Sequence, residues 1–121
     1  MAGMVVATTE KTHTIVKKIT FAWTSDSVTG TATGTTTNSY DGKLITLVTD
    51  PGATAPTTLY DVTVTDADRH DVLVGAGADR SATVTELVGE TSLGAVAGSR
   101  LTVNVSNAGN SKVGEVILSI R

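Results

Sequence analysis

The sequence predicts an all-β chain, an antiparallel β-sandwich or jelly-roll-like barrel of about six to eight short strands. Three observations carry that prediction. Several segments alternate apolar and polar residues with a period of two, as strands do when one face meets a core and the other meets water. Clusters of Gly, Asn, Asp and Ser separate those segments. The 121 residues include 23 threonines, a β-branched type that favours strands.

The first firm strand is Lys17–Thr24, where Ile19, Phe21 and Trp23 share one face and Lys18, Thr20 and Thr24 the other. The run 28–37 is rich in threonine but carries Gly30 and Gly34, so it reads as an edge strand or extended loop. Leu44–Val48 is more uniformly apolar and ends at Asp50-Pro51-Gly52, which predicts a central strand buried on both faces or covered by a neighbour. Tyr60, Val62 and Val64 share one face of the next run; after Asp66-Ala67-Asp68 the chain resumes at Val72-Leu73-Val74, a hairpin pattern. Residues 82–98 give no clean period; one turn of helix over 85–88 fits the pattern, and the glycines prevent a long one. Leu101–Val105 and Glu115–Ile120 flank a cluster of turn formers at 106–111 and read as a second hairpin. The expected core is Phe21, Trp23, Tyr60, Val62, Val64, Leu101, Val103, Val105, Val116, Leu118 and Ile120, the bulky face of each alternating run.

A chain of this length suits one domain, here assigned to residues 15–121. Residues 1–14 read as an N-terminal arm or an extra strand. Met4, Val5 and Val6 precede Thr8, Thr9, Glu10 and Lys11, so this end is expected to be a partner-contact arm whose apolar residues pack on a neighbouring subunit; a first strand of the same domain is the alternative.

Composition narrows the function classes. The net charge of −3 and pI near 5.2 argue against nucleic acid, which attracts basic surfaces by counterion release. No apolar run approaches the ~20 residues of a membrane-spanning helix, and no basic n-region opens a signal peptide, so the expectation is a protein made in soluble form with no membrane partner. The chain has no cysteine, which removes thiolate metal sites and thiol nucleophiles.

Four groups carry residue types that invite a chemical reading. Gly75-Ala76-Gly77-Ala78-Asp79-Arg80 follows an apolar run but lacks the third glycine and the Gly-Lys-Ser/Thr of nucleotide loops, so it reads as a turn. Asp66-Ala67-Asp68-Arg69-His70-Asp71 spaces acids as a calcium loop does, yet it lacks the loop glycine and distant glutamate, and Arg69 opposes a cation. His13 and His70 are the only histidines and read as exposed polar residues. Phe21 with Trp23 offers a stacking platform in principle, but rings on the alternating face of a strand belong to the core. No catalytic residue, cofactor or metal is expected, and the chain is not expected to be an enzyme.

The series Lys17–Trp23, Tyr60–Asp68, Asp71–Leu73, Gly77–Ser81 and Leu101–Asn110 resembles small virion structural proteins of tailed bacteriophages over about residues 15–121. Where similar sequences often place glycine after the Asp-x-Asp turn, this chain has Arg69-His70. The resemblance implies a virion location after synthesis in the host cytoplasm, and no catalytic residue to carry over. It further implies a capsid decoration or cement protein that forms a homo-oligomer and binds the major capsid or another virion protein. Head-to-tail, tail or fibre components fit the same resemblance, and a β-sandwich of this size also suits a glycan-binding adhesion module.

Overall fold

The computed structural model describes residues 4–13 and 15–121. It is an all-β sandwich, and neither sheet closes into a barrel. Among the described residues nine strands run in chain order: β1 (Val5–His13), β2 (Val16–Thr24), β3 (Ala32–Thr35), β4 (Tyr40–Pro51), β5 (Asp61–Thr65), β6 (Glu86–Gly89), β7 (Ala95–Ser99), β8 (Thr102–Ser106) and β9 (Val113–Ile120), with a short 3-10 turn at Glu90–Ser92. The larger sheet has the order β1-β2-β9-β4-β6, with β7 pairing the first part of β4; the smaller has the order β3-β8-β5. Among the described residues, no helix is long and apolar enough to cross a membrane.

Alternation explains the core. β2, β5, β8 and β9 each bury every second side chain. All eleven residues expected inside are buried, joined by Ile19, Ala32, Leu44, Leu47, Leu73 and others. Trp23 from the larger sheet and Tyr60, just before β5 of the smaller, meet in this interior with ring centroids 5.7 Å apart.

Several local readings change. β4 is central, as expected, but it buries one face, not two. A bulge at Ile45 shifts the register between Leu44 and Thr46, so Leu44 and Leu47 point inward at a spacing of three. That irregularity is why the run looked uniformly apolar. Residues 82–98 hold β6 and most of β7, and the segment 85–88 that allowed one helical turn instead leads into β6 (Glu86–Gly89). Val72-Leu73-Val74 forms turns, with a single bridge from Thr65 to Asp71 in place of a hairpin. The Leu101–Val105 and Glu115–Ile120 runs do not pair: β8 and β9 lie in different sheets, and residues 107–112 cross the sandwich.

The crossing is held from far away in sequence. Ser25 Oγ donates to the Gly109 carbonyl at 2.6 Å and accepts from the Lys112 N–H at 2.8 Å. A corner built this way satisfies backbone groups that a hairpin would have paired with each other.

Residues 5–13, read as an arm or an extra strand, form β1, paired with β2 in unbroken antiparallel register from Val5↔Thr24 to His13↔Val16. The detached arm is therefore replaced by an edge strand of the domain. Its inner face is anchored, because Val6 packs where Gly34 has no side chain and Glu10 is bonded to the start of β4. Met4 and Val5 are exposed, whereas Val6 packs partly against the core.

Candidate interaction surface

Strand directions sort the loops into two groups. One end of the sandwich gathers the start of β1, residues 25–31, 52–60 and 79–85, and the crossing at 107–112. Met4, Val28, Leu59 and Val84 are exposed there, each at about half or more of its full surface. Asp26, Asp50, Asp61, Asp79, Glu86 and Glu115 also lie at or near this end, against only Arg80 and Lys112 of the nine basic residues. The opposite end carries Lys11, Lys17, Lys18, Lys43 and Arg121 around the β1–β2 hairpin, the start of β4 and the end of β9, with Glu10, Asp41 and Glu90 among them, and Arg69 and Arg100 with Asp66, Asp68 and Asp71 at the same end of the smaller sheet.

Most carboxylates at these loops are engaged in shaping them. Asp61 accepts from Asp79 N–H at 2.9 Å and from the Asn107 amide at 2.6 Å, bonds that hold its carboxyl below the ordinary carboxylate value. Glu86 accepts from Ser81 N–H, and Asp50 from the Thr85 hydroxyl. Asp71 accepts from the N–H groups of Val64, Leu73 and Gly75. It thereby lays residues 71–80 along the outer edge of β5, where Val62 N–H meets the Gly77 carbonyl at 2.8 Å. Glycine is needed at 77 because a Cβ there would lie 2.1 Å from the Val62 carbonyl oxygen. The loop that resembled a nucleotide cradle is thus an edge cover.

The Asp66–Asp71 turn behaves similarly. Asp66 Oδ1 accepts from both Asp68 and His70 N–H at 3.0 Å, the side chain replacing a missing loop partner. Arg69 takes φ +67°, the left-handed conformation that a glycine would supply more cheaply. Asp66, Asp68 and His70 could bring one ligand atom each within 4.8 Å, but half of the Asp66 carboxylate is already committed to the turn. His13 and His70 are both exposed, at the end of β1 and in this turn, on different sheets.

The aromatic side chains offer no external platform. Phe21, Trp23, Tyr40 and Tyr60, the four aromatics of the chain, are all buried. Trp23 Nε1 and the Tyr60 hydroxyl have no partner in hydrogen-bond geometry among the described residues. Burial raises the Tyr60 phenol above its ordinary pKa; the nearby Thr49 hydroxyl and the Arg80 charge offset that rise only in part.

Two features escaped the sequence reading. Glu10 accepts from Tyr40 OH and from the N–H groups of Thr37 and Asn38. Burial raises the pKa of its carboxyl, but these donors outweigh it and hold the group below its ordinary value. On the outer face of the larger sheet a groove of about 470 Å³ runs over Val5, Ala7, Ala22, Val113 and Glu115. Its signal was present as small residues at alternate positions of β1 and β2, but only the strand register brings them side by side. Comparison with protein-family models, characterised proteins and solved structures finds no match to this chain.

Proposed function

We propose that this chain is a non-enzymatic structural protein of a bacteriophage virion, acting as a capsid decoration protein that binds neighbouring capsid subunits through the loop end of its sandwich. The observation that supports attachment is the grouping of exposed Met4, Val28, Leu59 and Val84 with six carboxylates at that end. Apolar side chains supply the area that docking removes from water, and the surrounding negative charge favours a basic partner surface. Loops braced by Asp50, Asp61 and Glu86 lose little freedom on binding, which favours affinity. The virion setting rests on the sequence resemblance. A glycan-binding role draws no support from the rings, since all four are inside.

The test is reconstitution onto particles that lack the protein. Leu59→Asp with Val84→Asp changes two exposed residues, so folding should persist while particle binding is lost. A copy number that scales with the capsid protein is expected in purified virions; a few copies per particle would point to the neck, tail or fibre, and none would overturn the proposal.

A further inference from the structure

The sandwich has four sheet edges, and they are not treated alike. β6 and β3 are four residues each, β7, which shares the edge beyond β4 with β6, is five, and the outer side of β5 is bonded to residues 71–80. β1 is nine residues long, without bulge, glycine or proline, and among the described residues it pairs only with β2. Among the described residues no backbone hydrogen bond reaches it from any other element. Long open edges are templates for another strand, and proteins that stay monomeric shorten, cover or distort them. This one is also stiffened in place by Val6 over Gly34 and by the Glu10 bonds, so pairing would order little new chain.

We propose that β1 pairs antiparallel with β1 of a second copy about a two-fold axis at Thr9, continuing the larger sheet from one copy into the next. The charges select this occupant and this direction. Antiparallel pairing sets the lysine-rich hairpin end of each copy beside the acidic loop end of the other, whereas parallel pairing would set like ends together. With Thr9 on the axis, Ala7 faces Lys11 of the second copy, Val5 faces His13 and Thr8 faces Glu10, so no like charges oppose.

The same register explains the groove. Ala7 pairs with Ala22, and Ala22 with Glu115, so a cross-strand row on the outer face reads Lys11 of the second copy, Ala7, Ala22, Glu115. Two alanines leave the groove open between a lysine and a glutamate, and the lysine stem can lie across them. Neither Lys11 nor Glu115 has a side-chain hydrogen bond or ion pair among the described residues. A closed two-fold pair of this kind also ends the assembly at two copies along that edge. The pairing rests on the reading that the chain works by assembling, and it leaves the loop apolar residues Val28, Leu59 and Val84 free for the shell.

The chain has no cysteine, so Thr9→Cys introduces a single reporter. The expected result is a concentration-dependent dimer in sedimentation, with Thr9→Cys cross-linking to itself under mild oxidation and Val5→Cys failing to do so. Lys11→Glu or Glu115→Lys should each weaken the dimer by about tenfold, and the double exchange should restore it. A wild-type chain that stays monomeric at high concentration overturns the inference. So does a dimer in which Val5→Cys cross-links as readily as Thr9→Cys, or in which the double exchange is no better than either single change. Particle binding measured on the same variants separates the two proposals: a monomer that still coats shells removes the self-pairing alone, and a cross-linking dimer that never binds shells removes the attachment alone.

Discussion

Glu10 on β1 accepts the phenolic hydrogen of Tyr40, the first residue of β4, across 2.7 Å. The same carboxylate receives the N–H groups of Thr37 and Asn38, so the connection between β3 and β4 is fastened to an edge strand 27 or more residues away. Hydrogen bonds to a charged group contribute about 1.5–3 kcal/mol each in favourable settings, and partial exposure reduces that here. The expected cost of Glu10→Ala or Tyr40→Phe is about 1–2 kcal/mol in denaturant unfolding at neutral pH.

The pH dependence follows from the directions of the shifts. Glu10 ionises below its ordinary 4.5 in the folded chain, so its contribution is present above that value and is lost as pH falls through the folded pKa. Glu10→Gln should flatten this acid limb of the stability curve. Tyr40 lies above its ordinary 10.0, first through burial and then through Glu10, so its contribution declines as pH rises past 10, and Tyr40→Phe removes that alkaline limb.

Gly34 makes the seat for Val6. A Cβ at position 34 would stand 2.7 Å from Val6 Cβ and Cγ1, too close for any real pair, and neither β-branched atom can swing away. Gly34→Ala should lower stability by about 1–3 kcal/mol, and adding Val6→Gly, which removes the Cβ as well as the γ-methyls, should add less than its own cost in the parent chain. Gly89→Ala, where nothing lies within 4 Å, is the control and should leave the melting temperature nearly unchanged.

Lys43 Nζ donates to the carbonyls of Glu90 and Leu93 at 2.8 and 2.6 Å, tying the 3-10 turn to β4. Lys43→Met keeps the aliphatic stem and removes the donors. Hydrogen exchange at the Leu93 and Gly94 amides should quicken in that variant, while exchange in β8 and β9 stays at the parental rate.

Val103 is fully buried on β8 between β3 and β5. Val103→Asp places an unpaired charge in the interior and should leave the chain unfolded at room temperature by circular dichroism. Thr63, partly exposed on the outer face of β5, should accept aspartate with a change of about 0.5 kcal/mol.

His13 and His70 are both exposed, one at the end of β1 in the larger sheet and one in the turn after β5 of the smaller. Replacing both by Gln should preserve the melting temperature and particle binding. Loss of binding in a folded double variant would reveal a proton or metal switch at one of them.

What the sequence determined by itself was the side each residue takes. Ile19, Phe21 and Trp23, or Val103 and Val105, are inward because strand side chains alternate and only one choice of face buries the large ones. The same local rule failed where a residue was added, at Ile45 in β4, and where a strand is too short to show a period, at β6. Tertiary structure alone decided which strands are neighbours. Residues 106–111 carry turn formers that suit a hairpin and a sheet-crossing corner equally; the choice is made by Ser25, 84 residues from Gly109, which captures the corner's backbone groups. Likewise nothing near Val5–His13 distinguishes an arm from an edge strand. Glu10 finding Tyr40, and Val6 finding Gly34, bring together residues about 30 positions apart, and such pairings are set by the folded surface they complete, beyond the reach of any local pattern.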